Sequence, residues 1–118
     1  MNKASLSGIP TQIQAKEQAI RNLQLRLQEY NTYLLELDSM LICMYDKRAT
    51  LSRRALDNRQ DIDGSMLLQS RINLAGERIC KILERSDMIR CQIEDSEVQI
   101  CVINADVDVM RYMMADRR

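Results

Sequence analysis

Apolar residues recur every seven positions, in two interleaved rows, along most of this 118-residue chain. One row runs Ile13, Ile20, Leu27, Leu34 and Leu41, then continues through Arg48 to Ala55; the other runs Lys16, Leu23, Tyr30, Leu37, Met44, Leu51 and Asn58. A second pair of rows follows, Ile72, Ile79, Ser86, Ile93, Ile100, Val107 and Met114 beside Leu68, Ala75, Ile82, Ile89, Ser96, Ile103 and Met110. A strict seven-residue repeat places a and d residues on one stripe of an α-helix and winds two such helices into a left-handed coiled coil. Nothing of period two competes with it, so the chain is expected to be all-α.

Between the two seams lies "DNRQDIDGSM", Asp57 to Met66, the densest run of turn formers in the chain. Pro10 suits only a first helical turn, so helix one is expected over about residues 10–59. The tip follows at about 60–64, and helix two at about 65–116. Asp63 or Ser65 can cap the second helix, with Gly64 releasing the backbone to turn. The fold class expected is a long antiparallel two-helix coiled-coil hairpin, one domain over 1–118.

The two seams can be matched. In an antiparallel pair an a layer of one helix meets a d layer of the other, so facing residues have a constant sum of residue numbers. A sum of 123 places Ile20 with Ile103, Leu34 with Ile89, Leu41 with Ile82, Leu27 with Ser96 and Arg48 with Ala75, where a small partner lets the long side chain reach water. The competing register, with a sum of 130, sets Arg48 against Ile82.

Composition supports helices and excludes several functions. The chain has one Pro, three Gly, no Trp, no Phe and no His. No run of apolar residues is long enough to cross a membrane, and no secretory leader pattern opens the sequence, so a cytoplasmic location is expected. Cys43, Cys80, Cys91 and Cys101 form no CxxC pair and are read as reduced thiols acting as small hydrophobes, with no metal and no cofactor. Without His, a phosphate loop or a nucleophile elbow, and with Glu94, Asp95 and Glu97 on exposed positions, no catalytic site is expected.

Charge is balanced overall but not along the chain. Residues 1–60 carry nine basic and six acidic side chains, and residues 61–118 eight and eleven. Lys47, Arg48, Arg53, Arg54 and Arg59 gather toward the tip, diluted by Asp46, Asp57, Asp61 and Asp63. That mixture, without aromatic platforms, points away from nucleic acid. Arg53, Arg54 and Arg59 are instead candidate tip contacts to protein.

Function is sought in the apolar residues outside the seam. Cys91, Val98, Val102, Val109, Tyr112 and Met113 form a second stripe on helix two, and Leu25, Leu35, Ile42 and Tyr45 lie off the seam of helix one. Level with one another in the 123 register, Val98 and Leu25 suggest extra surface nearer the chain ends. Exposed apolar residues at helical spacing mark a protein partner, although scattered surface hydrophobes would also produce such a pattern.

A small "NRQ" turn segment (Asn58–Gln60), followed by "LLQSRI" and "RCQIEDSEVQI", within a Gln/Arg/Leu-rich hairpin, resembles the stalk proteins of type III secretion and flagellar export, the FliJ/YscO/InvI family. The resemblance spans nearly the whole chain in architecture and, loosely, Leu67–Ile100 in residues. It implies a non-enzymatic coupling subunit, cytoplasmic or peripheral at the export apparatus. Such a subunit would sit in a hexameric ATPase ring, promote its activity and contact the export gate and export chaperones. The alternative is an adaptor, scaffold or secretion-chaperone subunit that pairs its hairpin with partner helices in a four-helix bundle. Ile at both a and d of helix two favours higher-order bundles, and the sequence leaves monomer and dimer both open.

Overall fold

The computed structural model describes residues 8–116. Two α-helices account for nearly all of them, α1 over Ile9–Asp57 and α2 over Ile62–Ala115, with no strand among the described residues. The fold is all-α, a two-helix hairpin. Two compact units divide it, one of Met1–Asn31 with Cys91–Arg118 and one of Thr32–Arg90. The second contains the turn; the first pairs the opening stretch of α1 with the closing stretch of α2.

Helix α1 starts where the proline allows. The carbonyl of Gly8 accepts the first helical bond, from the N–H of Gln12 at 3.0 Å. Pro10 therefore lies in the first turn, where a missing N–H costs nothing.

The turn is shorter and earlier than the sequence suggests. It spans Asn58 to Asp61, and α2 begins at Ile62, three residues before the expected start. Neither Asp63 nor Ser65 caps α2. The cap is Asp61, whose Oδ1 accepts the N–H of Gly64 at 3.2 Å while its carbonyl accepts that of Ser65 at 2.8 Å. This is the arrangement that satisfies orphan donors at a helix start. Gly64 is a helical residue with no positive φ, so it does not make the turn. Its role is spatial, because a Cβ there would lie 2.5 Å from Oδ2 of Asp61 and displace the capping carboxylate. Asp63 falls in the first turn, where its charge favours the helix dipole. Ser65 closes the tip by donating from Oγ to the carbonyl of Asn58 at 2.9 Å.

Within each unit the seam forms the core. In the turn-bearing unit the buried side chains are Leu37, Leu51, Ala75, Ile79, Ile82, Ser86 and Ile89; in the other they are Ile9, Leu23, Ser96 and Val107. All but Ile9 are a or d residues. The remaining a row of α1, Ile13, Ile20, Leu27, Leu34 and Leu41, is only half-buried. Two helices bury one stripe each and leave its margin open.

Cross-helix contacts scatter around the 123 register. Asn58 and Ser65 have that sum; Lys16 and Asp106, paired at 3.5 Å, have 122. Arg85 donates to the hydroxyl of Tyr33 at 3.0 Å, a sum of 118, and Arg111 pairs with Glu17 at 128. Long side chains reach diagonally to either side of the layer, and the values average close to 123, not 130. Arg48, the polar member of its row, is half-buried and lays its guanidinium 5.2 Å from the ring centroid of Tyr45.

Two tests follow from the cap and the core. Asp61→Ala should lower the unfolding free energy by about 1 kcal/mol, read by chemical denaturation followed by circular dichroism. Ser86 is 1 % exposed and its Oγ has no hydrogen-bond partner, so it carries an uncompensated desolvation cost. Ser86→Ala should therefore stabilise the hairpin by about 1–2 kcal/mol, helped by the better helix propensity of Ala, and a lower melting temperature would refute this account.

Candidate functional site

Two surfaces stand out once the seam is accounted for, one in each unit. The first lies on α2. Cys91, Val98, Ala105 and Tyr112 recur at steps of seven, interleaved with Asp95, Val102 and Val109. Together they form a two-row, seven-residue repeat of their own. It occupies the side of the helix turned away from the buried a and d rows, because these residues fall at the c and f positions between them. Val98, Val102, Val109 and Tyr112 are 61, 56, 59 and 72 % exposed. Helix α2 is thus apolar on two opposite faces, and the hairpin covers only one.

Acidic groups rim this stripe. Glu94 and Asp108 flank it and Asp95 interrupts it, and none of the three has an ion-pair or hydrogen-bond partner among the described residues. Cations of the same unit and its border are engaged elsewhere, Lys16 with Asp106, Arg111 with Glu17 and Arg90 with Asp87.

The other candidates distribute differently. Met113 is half-buried and sits beside the seam, outside the stripe. Leu25 is exposed on the outer face of α1, and because both helices turn their seams toward each other, that face points away from the stripe on α2. Leu25 and Val98 thus both lie in the unit formed by the chain-end stretches, on opposite outer faces of it. Leu35 and Ile42 belong to the turn-bearing unit, where they join Ala49 and Leu56 in one exposed row at seven-residue steps. Tyr45 is engaged by Arg48. Cys43, Cys80, Cys91 and Cys101 are all exposed, unpaired thiols.

The second surface is a groove of about 570 Å³ in the turn-bearing unit. Its floor includes the buried Leu51 and Ala75, and its walls carry Lys47 and Arg54 from α1 and Arg71 and Arg78 from α2. Each of these four cations immediately precedes an a residue, which sets them all on one edge of the hairpin. Lys47 and Arg71 have the same cross-helix sum, 118, as the touching pair Tyr33 and Arg85. Two like charges therefore confront one another across the groove, where facing edge positions of a coiled coil ordinarily hold opposite charges. No carboxylate pairs with any of the four among the described residues.

The groove adds to the sequence picture of a basic tip diluted by acidic residues. Asp46, Asp57, Asp61 and Asp63 are exposed and none of them lines the groove. Arg53, Arg54 and Arg59 are not gathered into one contact either. Arg53 points its guanidinium at Thr50 Oγ1, 3.4 Å away, Arg54 lines the groove, and Arg59 lies in the turn. Arg71 and Arg78 escaped notice because they lie on the other helix. The signal that finds them is the shared heptad position with Lys47 and Arg54.

Comparison of the chain with protein-family models, with curated proteins and with solved structures returns no match. Among the described residues, no helix is long and apolar enough to cross a membrane, and no group of His, Cys, Asp or Glu is placed to hold a metal ion.

The outer stripe of α2 and the buried seam make opposite predictions for substitution. Val102→Glu puts a charge on an exposed position and should leave the helical circular dichroism unchanged, within about 0.5 kcal/mol of stability in dilute solution. Leu37→Asp buries a charge at a 3 % exposed seam position and should melt the turn-bearing unit. Loss of helicity in the first variant would show that the stripe is core.

Proposed function

We propose that this chain is a non-enzymatic coupling hairpin that acts by docking the outer face of α2 against helices of a partner protein. The observation that carries this reading is the two-row repeat from Cys91 to Tyr112. Single exposed hydrophobes are common on any surface, but a seven-residue repeat in two rows matches the knobs-into-holes spacing of another helix. The stripe supplies specificity.

The finer reading follows from the family resemblance: a cytoplasmic stalk subunit of a type III export apparatus, bound in or on its hexameric ATPase and linking it to the export gate. A hairpin with unlike faces meets ring subunits unequally, so its binding can favour one nucleotide state over another. The apolar stripe is the ring contact in this reading, and the tip region is the gate contact. The adaptor reading, in which the hairpin pairs with partner helices in a four-helix bundle, draws on the same stripe and its coiled-coil spacing.

The deciding assay measures steady-state ATP hydrolysis by a purified export ATPase with and without the chain. Stimulation by the parent and its loss in Val102→Glu is the expected result. Absence of both binding and stimulation by the parent would remove the stalk reading and leave the adaptor.

A further inference from the structure

We infer that the groove lined by Lys47, Arg54, Arg71 and Arg78 receives the α2 stripe of a second copy of this chain. The inference rests on the reading of the stripe as a helix-docking face and names an occupant for both surfaces. In this pairing a second copy and any other partner compete for the same stripe.

The argument begins with charge. The groove presents four cations without an internal counter-ion, and the stripe presents Glu94, Asp95 and Asp108 likewise without one. Neither surface can pair with itself. Groove against groove would set four cations against four, and stripe against stripe would set carboxylates against carboxylates. Groove against stripe brings opposite signs together, which steers encounter and fixes orientation. An isologous pair would offer this contact twice, which is how a two-fold dimer closes.

Apolar complementarity supports the same pairing. Leu51 and Ala75 floor the groove and the half-exposed Leu74 and Met44 edge it, so a ligand held by charge alone would leave apolar surface wet. A bare polyanion has nothing to place there, whereas Val98, Val102 and Val109 do. Base stacking would call for free aromatic rings, yet Tyr33 and Tyr45 are already engaged by Arg85 and Arg48. Need also points the same way. Nine apolar side chains make up the buried core of the described residues, a small number for two helices of 49 and 54 residues. Chains with so little core are commonly completed by association.

The test uses the full-length chain alone, with mass in solution read by sedimentation or in-line light scattering. The parent should be a dimer that dissociates as salt is raised, because the attraction between surface charges is screened. Arg54→Glu combined with Arg71→Glu should weaken self-association by at least about tenfold, and so should Glu94→Lys combined with Asp95→Lys. Circular dichroism checks that each variant remains helical. Mixing the two variants is the decisive arm. Reversed groove meets reversed stripe at one contact and native meets native at the other, so a heterodimer should reappear.

A parent that stays monomeric at all concentrations overturns the inference, as does a mixture that fails to reassociate. If Val102→Glu abolishes the dimer while the groove reversal does not, the stripe pairs elsewhere. In that case the groove assignment falls and the docking role of the stripe stands. If Val102→Glu and the groove reversal both leave the dimer intact, the copies pair elsewhere and the inference falls, while docking of the stripe to another partner is decided by the ATPase assay. A monomer retained on an immobilised polyanion through Arg54 and Arg71 would reassign the groove to that ligand class.

Discussion

Burial of one apolar stripe against another supplies nearly all of the core among the described residues, and the other features are arranged around it. A sheet or a third helix would have offered alternative burial, but none is present among the described residues. Stability must therefore come from the a and d rows, assisted by surface pairs such as Lys16 with Asp106 that contribute at most about 1 kcal/mol each. The turn serves the seam by holding its register. Asn58 closes the last turn of α1 by donating to the carbonyl of Arg54, Asp61 caps the start of α2, and the Ser65 hydroxyl ties the new helix to the carbonyl of Asn58.

The seam also explains where function can lie. Once a and d are committed to the partner helix, the remaining heptad positions are free to carry other chemistry, and here they are used unevenly. Between Cys91 and Tyr112 the c and f positions of α2 are apolar with acidic neighbours, whereas in the turn-bearing unit the position before each of four a residues is basic. Both patterns depart from what an isolated coiled coil would choose, since one exposes hydrophobes and the other opposes like charges. The interior contains its own departure. Ser86 buries an unpaired hydroxyl in a seam otherwise rich in Ile, and nothing in the hairpin compensates it.

Much of this was legible from residue order. The seven-residue repeat identified the helices and placed the turn among Asp57–Met66, and it assigned nearly all of the buried side chains, because burial in a two-helix hairpin depends almost wholly on heptad position. The helix boundaries at the turn were less legible. Asp61, Asp63 and Ser65 are all competent caps by residue type, and the choice among them rests on which carboxylate reaches a free N–H three residues on. Gly64 misled for a related reason: glycine suits a turn, but here it makes room for the carboxylate of Asp61.

The sequence by itself determined the architecture and the presence of a second apolar stripe on α2, since each is a one-dimensional periodicity that a helix converts directly into a face, whereas the choice between the 123 and 130 registers came from the cross-helix contacts. Tertiary structure decided which distant residues share a surface. Lys47 and Arg54 join Arg71 and Arg78 only because the chain reverses between them, and Leu25 separates from Val98 only because paired helices turn their outer faces apart. Spacing along one helix fixes angle around that helix, but neighbours across two helices depend on where the turn ends, and that is set by a single hydrogen-bonded cap.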